Sequence, residues 1–391
     1  MRICGIIAEY NPFHNGHLYQ INELKKMGAT HIISVMSGSF VQRAEPAVLP
    51  KFERARVAVQ CGADIVLELP CRYATASAER FAFGGVSLLR ALGCVDMLGF
   101  GSESGDLAGL LLAADAVCDA KVLDVTRALC ERGETYPSAR EKAARSIYGD
   151  EAANLLREPN DILAVEYLKA LHGCAIEPVA VRRVGAAHDG EDTKDGFAGA
   201  SLLRLRIEKN IDIQKYVPPE TAQALQNSDI ISCGMKRLEL PLLYRLRTMD
   251  ASLFEALPDC ADGLGNRLKC AAGKAKSLEE LYDLAKTKRY TMSRVRRAAL
   301  CALLGIMAES PVQTPYARVL AIGKNGGEVL ARMKKTASIP ISQSLKELAK
   351  LGGRCAKDAA LEAYATDISA LSQRVVGDVG RDYTQKLFRD K

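Results

Sequence analysis

Over the first hundred positions, short runs of aliphatic and β-branched residues alternate with amphipathic stretches. Arg2–Ala8, His31–Met36, Asp64–Leu69 and Asp96–Phe100 are brief and apolar, and turn residues mark most of their boundaries. Between them, 16–27, 51–61 and 77–92 carry apolar residues at helical spacing. Strand–helix–strand repeats of this length imply right-handed crossovers and a parallel sheet with helices on its faces. Ligands of such sheets bind outside the carboxyl ends of the strands, so the loops starting at Glu9, Ser37, Pro70 and Gly101 are expected to line one site.

The pattern is helical from about 106 to 158 and again over 160–172. A strand is predicted near Glu177–Arg183, then a polar loop at 188–196 and a helix over 200–209. After a break at Val217-Pro218-Pro219 the chain reads as mostly helical to about 310, with further strands near 316–322 and 338–341. The expected fold class is α/β: a Rossmann-like parallel-sheet domain over 1–208 followed by a mainly helical, basic domain over 209–391.

Composition narrows the class. Of 391 residues, 48% are hydrophobic and 26% charged, the balance of a soluble globular protein rather than a disordered or fibrous one. No window holds eighteen uninterrupted apolar residues, so no membrane partner is expected. The first residues lack a signal peptide's basic start, apolar run and cleavage site, which points to the cytoplasm. The twelve cysteines stand at least ten residues apart, with neither CxxC nor zinc-ligand spacing, and read as small buried hydrophobes in a reducing compartment; no metal site is expected from them. Charge is divided unevenly. Residues 201–391 carry 32 Lys and Arg against 21 Asp and Glu, a net of +11, which leaves residues 1–200 at −5. A mildly acidic front half and a basic rear half suggest chemistry in one and polyanion binding in the other.

The first loop reads Glu9-Tyr10-Asn11-Pro12-Phe13-His14-Asn15-Gly16-His17, directly after a strand and before a helix. Gly16 lets a ligand approach the backbone, and the helix starting there aims its N–H groups and positive dipole end at the same place. His14 and His17, one turn apart, fall on the same side, where both can donate to one anionic group such as the triphosphate of ATP.

At this loop the chain resembles the HIGH-motif nucleotidylyltransferases, whose signature is (T/H)xGH after the first strand of a Rossmann-like domain. Ala200-Ser201-Leu202-Leu203-Arg204 resembles their second motif, ISSTxIR, with only Ser201 and Arg204 keeping the expected character. Within that group, GIIAEYNPFHNGHLYQ (5–20), GADIVLELP (62–70), FGSE (100–103), EPNDILAVEYLKAL (158–171), KTKRYTMSRVRR (286–297) and YARVLAIGKNG (316–326) resemble the tRNA(Met) cytidine acetate ligases. The resemblance implies an enzyme that activates acetate as acetyl-adenylate, releasing pyrophosphate, and acetylates N4 of the wobble cytidine of elongator tRNA(Met). It implies an ATP site of Ile7, Ala8, Glu9, Tyr10, Asn11, Pro12, Phe13, His14, Asn15, Gly16, His17, Leu18, Tyr19 and Gln20, completed by Gly101, Asn160, Arg182 or Arg183, Ser201 and Arg204, with His14 and His17 catalytic. Asn160 could equally cap its helix. Arg182 and Arg183 point to opposite faces of a strand, so only one can face the site, and Arg183 is preferred.

Lys286–Arg297 holds six basic residues in twelve and no acid. Lys286, Lys288, Arg289, Arg294, Arg296 and Arg297 are expected to contact tRNA phosphates, with Tyr290 stacking on an unpaired base. A faint likeness of 290–294 to the KMSKS loop of class I aminoacyl-tRNA synthetases is read as chance. Asp64 and Glu68 share a strand face but lie about 13 Å apart, too far for one proton or one metal ion; Glu68 is expected near the site and Asp64 at the strand start. Mg²⁺ is expected with ATP, although no protein ligand for it is identified. A small-molecule adenylyltransferase of the pantetheine-phosphate or nicotinamide type, or a non-catalytic tRNA-binding protein, remain alternatives. No protein partner is inferable.

Overall fold

The structure is a computed structural model and describes residues 1–184 and 196–390. The polar loop expected at 188–196 lies almost wholly outside the described residues. Five parallel strands lie side by side in one sheet, in the spatial order Ile65–Leu69, β2 (His31–Ser37), β1 (Ile3–Ala8), Met97–Ser102 and, at the edge, Glu177–Arg182. Every residue of β2 and of Ile65–Leu69 is buried, which is why these strands are mostly aliphatic rather than alternating, with His31, Ser34, Ser37 and Glu68 as the polar exceptions. Asp64 and Asp96 lie just before strands and accept from the Ile32 and Ile3 N–H groups, each at 2.7 Å, so Asp64 serves a strand start as expected.

Helices cover both faces. On one side, α1 (Asn15–Lys26), Lys51–Gln60 and Ala200–Glu208 share an apolar cluster that includes Ile6, Ile32 and Val66. On the other, Ala78–Leu92, Leu107–Cys118 and Pro159–Leu171 pack on Ile7, Val35 and Leu67. A Cβ at Gly85 would fall 2.5 Å from Ile7 Cδ1, so Gly85 lets this helix sit close on β1, while Gly84 makes room for the Tyr73 side chain.

The sequence boundary at 208 does not divide the sheet. Ala317–Ile322 pairs antiparallel with Ile65–Leu69, and Phe388–Arg389 and Ile341–Ser342 each pair parallel with Ala317–Ile322. Lys51, Glu68, Arg318 and Asp382 are all buried beneath this join. Lys51 Nζ lies 2.6 Å from Glu68 and 2.8 Å from Asp382, and Arg318 Nη1 lies 2.8 Å from Glu68 and also reaches Asp382. Glu68 is therefore spent in a charge cluster that ties the late strands to the early ones, instead of entering the site. The helical segments between 238 and 306 build a second core, which packs on Phe40, Ala44 and Cys71 of the sheet unit.

Arg54, in the helix after β2, is 1% exposed. Its guanidinium donates to Leu49 O at 3.0 Å, Glu9 O at 2.6 Å, Ser37 O at 3.0 Å and Gly38 O. It thus joins the loops that follow β1 and β2. Lysine would keep the charge but cannot reach four carbonyls with a planar fork. Arg54→Lys should lose about 3–5 kcal/mol of stability in urea denaturation, from hydrogen bonds worth about 1.5–3 kcal/mol each. A loss below about 1 kcal/mol would mean that other donors serve these carbonyls.

Candidate nucleotide site

β1 sits between β2 and Met97–Ser102, where the chain direction of strand order reverses, and a crevice opens at the carboxyl ends there. It holds an open cleft. Ile7, Ala8, Glu9, Tyr10, Asn11, His14, His17, Gln20, Gly101, Asn160, Arg183, Ser201 and Arg204 line it, all of them expected from sequence. Gly16, Tyr19 and Arg182 line a smaller adjoining cavity that shares His14, His17 and Arg183. Of the pair at the strand end, Arg183 is the one that faces the main cleft, as preferred.

Pro12, Phe13, Asn15 and Leu18 line neither space. Phe13 is buried in the core, and Asn15 Nδ2 donates to Gly196 O and Lys215 O at 2.9 and 3.1 Å. Leu18 packs on the apolar cluster beneath α1. Their place in the motif is structural: they seat the start of α1 so that the two histidines face the cleft.

His14 is the N-cap of α1. Its Nδ1 accepts from Gly16 N at 3.1 Å, and His17 Nδ1 accepts from His14 N at 3.2 Å, a reciprocal box built from two imidazoles. The rings stack with centroids 3.8 Å apart. A Cβ on residue 16 would come within 2.9 Å of the His14 ring, so glycine is required beside it. Because each Nδ1 accepts an N–H, each neutral ring carries its proton on Nε2. Burial, then the Arg183 and Arg204 charges, pull the His14 pKa down to about 3. Burial, the neighbouring His14 and Arg183 hold His17 well below its ordinary value. The pair is thus two neutral Nε2–H donors in a field made positive by arginines.

Arg204 Nη1 donates to Asn11 O at 3.0 Å and its Nη2 to Ser201 Oγ at 3.3 Å, so the Ala200–Glu208 helix start is fastened to the first loop. Asn160 is not a cap. Glu103 takes that role, accepting from Asp161 N at 2.9 Å, while the Asn160 amide binds Glu103 and its oxygen receives Arg183 Nη1 at 3.5 Å. Glu103 was not anticipated, although it closes the FGSE run; nor were Gln42, Phe81, Phe100, Leu163 and Tyr167, which, unlike Glu103, line the cleft. Gln42 N donates to Glu9 at 2.8 Å, so the turn after β2 meets the turn after β1.

None of residues 286–297 lines this cleft. Their compensating acids come from elsewhere: Arg294 binds Asp262 at 2.7 Å and Asp259 O at 2.9 Å, and Arg297 lies 3.8 Å from Asp259. Tyr290 is buried in the helical core and donates to Asp262 O at 2.7 Å, so its ring is no platform for a base. Lys286, Lys288, Arg289 and Arg296 remain exposed.

A profile of the HIGH Nucleotidyl Transferase family matches residues 1–379. The chain belongs to that family of nucleotidyl transferases. A tRNA(Met) cytidine acetate ligase from Thermoanaerobacter sp. (strain X514) is 37% identical over 100% of both chains. One from Clostridium tetani (strain Massachusetts / E88) is 35% identical over 87% of this chain and 90% of its own. Thermotoga maritima TmcAL superposes with a TM-score of 0.93 in its apo form at 29% identity, and of 0.89 bound with alpha-thio ATP at 30%, each over 100% of both chains. Among the nucleotidyl transferases, the chain is a member of the tRNA(Met) cytidine acetate ligase family.

The depressed imidazoles carry a pH signature. His14 stays neutral in the folded chain down to about pH 3, whereas in the unfolded chain it takes up a proton below about pH 6.5. Stability from this group is therefore full above pH 6.5 and declines as pH falls toward 3. His14→Asn, which has no proton to take up, should flatten the loss of stability between pH 6 and 5 by about 1 kcal/mol per pH unit in urea titrations. An unchanged slope would show that His14 titrates alike in both states.

Proposed function

We propose that this chain is an ATP-dependent ligase that makes acetyl-adenylate from acetate and ATP and then acetylates N4 of the wobble cytidine of elongator tRNA(Met). The paired neutral Nε2–H donors of His14 and His17, set among Arg183 and Arg204 at the carboxyl ends of the strands, carry this reading. Family membership over the whole chain supports it.

Acetate is ionised near neutral pH and needs no base. One carboxylate oxygen attacks the α-phosphorus, and the bond to the bridging oxygen breaks as pyrophosphate departs with its electron pair. The chain supplies position and charge neutralisation: the two imidazole N–H groups, Arg183, Arg204 and the helix start at Ser201 suit phosphate oxygens. Among the described residues no group of three or more His, Cys, Asp or Glu is placed to hold a cation, and Glu9 is the only carboxylate lining the cleft. A resident Mg²⁺ does not fit these residues. We expect Mg²⁺ to enter on the ATP phosphates. In the second step N4 bonds to the acetyl carbon, the bond to AMP breaks, and N4 gives up one proton to solvent.

Lys286, Lys288, Arg289 and Arg296 offer an exposed basic edge for tRNA phosphates. We infer a cytoplasmic setting, in keeping with twelve free cysteines. Among the described residues no helix is long and apolar enough to cross a membrane.

Labelled acetate, ATP and total tRNA, followed by nucleoside digestion, should place the label on N4-acetylcytidine from elongator tRNA(Met). Label on another nucleoside, or none, would reject the assignment. Replacing Lys286, Lys288 and Arg289 together with Ala should lower the slope of log tRNA affinity against log salt by about two to three units. Acetate-dependent ATP/pyrophosphate exchange without tRNA should stay unchanged, since none of the three lines the cleft. An unaltered slope would put the tRNA face elsewhere.

A further inference from the structure

Two buried donors on the cleft wall have no partner among the described residues. Asn11 is 2% exposed; its Oδ1 accepts from Val48 N at 2.7 Å, which fixes the amide and leaves Nδ2 unbonded. Tyr167 is 3% exposed, and its hydroxyl bonds to nothing among the described residues. A buried polar group left unpaired is costly, and native chains keep few of them. Both residues line the cleft, so a bound ligand is the natural partner for each.

The two stand in different surroundings. Asn11 belongs with the phosphate-binding groups, because Arg204 donates to its carbonyl. Tyr167 belongs to the apolar cluster that also holds Ile7, Phe81 and Phe100, with Leu163 packed against it; all five line the cleft. Its ring lies 6.0 Å from that of Phe100. Burial, with the nearby Glu9 charge, raises the Tyr167 pKa, so the hydroxyl keeps its proton and acts as a donor. One donor set in an apolar wall suits a small carboxylate with a short alkyl tail. It does not suit a triphosphate, which needs the cations on the other side.

We propose that Tyr167 is the specificity residue of the acetate pocket: its hydroxyl donates to the carboxylate oxygen that does not attack, while Ile7, Phe81, Phe100 and Leu163 enclose the methyl group. This rests on the acetate-activating reading above. As the other oxygen bonds to the α-phosphorus and pyrophosphate leaves, the oxygen held by Tyr167 becomes the acetyl carbonyl of the adenylate. No proton moves to or from Tyr167.

The test is steady-state ATP/pyrophosphate exchange with the full chain. Tyr167→Phe should raise KM for acetate at least tenfold while KM for ATP stays within twofold. Its thermal stability without ligands should be equal or higher, because an unpaired buried hydroxyl is removed; a purely structural hydroxyl would lower it. Leu163→Ala should raise the ratio of kcat/KM for propionate over acetate at least fivefold by enlarging the pocket. If wild-type exchange depends on acetate but Tyr167→Phe leaves its KM unchanged, or raises KM for ATP equally, this assignment fails and the reaction class stands. If wild-type exchange does not respond to acetate, both fall.

Discussion

The buried guanidinium of Arg54 is the constraint from which the cleft takes its shape. Loops at the carboxyl ends of parallel strands carry backbone carbonyls that no sheet neighbour satisfies, and burying them unpaired would be prohibitive. Arg54 satisfies four of them at once, two at the end of β2, one after β1 and one just before its own helix. Asn11 adds a second stitch to Val48, and Glu9 a third to Gln42. The first loop is therefore held by groups far from it in sequence. Its histidines need no ligand to find their positions.

That rigidity permits an unusual electrostatic arrangement. Two imidazoles stacked 3.8 Å apart could not both be charged, and their Nδ1 atoms are already engaged by backbone N–H groups. The cleft thus meets its anion with permanent charge from Arg183 and Arg204 and with neutral, oriented donors from the histidines. Such dipoles cost no reorganisation as charge moves from the attacked phosphorus toward the leaving group. The apolar side of the same cleft is built from the helices on the opposite face of the sheet, so two chemically distinct walls meet above one strand.

Ile3–Ala8, His31–Ser37, Ile65–Leu69 and Met97–Ser102 were legible in the sequence because parallel strands buried on both faces leave largely apolar runs. The His14–His17 loop was legible because its geometry is local: strand, turn, helix start. Other features depend on distant packing, which no periodicity records. Arg54 in KFERARV reads as an ordinary charge on an amphipathic helix, and Tyr167 in VEYLKAL as one more core aromatic. Tyr290 sits among basic residues yet turns inward, since Asp259 and Asp262, some thirty residues earlier, supply the partners its neighbours lack. The break at Val217-Pro218-Pro219 is a real interruption between helices, but the sheet is completed only by strands beyond it, including one that runs antiparallel.

That late completion has a consequence for synthesis on the ribosome. The edge of Ile65–Leu69 stays uncovered until Ala317–Ile322 emerges, about 250 residues later. At about 5–20 residues per second this is on the order of tens of seconds. Throughout that interval a strand that is apolar except for Glu68 presents free backbone groups on one side, and Lys51 and Glu68 wait without Arg318 and Asp382. The nascent chain therefore carries an uncovered strand edge for most of its synthesis, and a product truncated before residue 317 would keep an open, adhesive sheet edge.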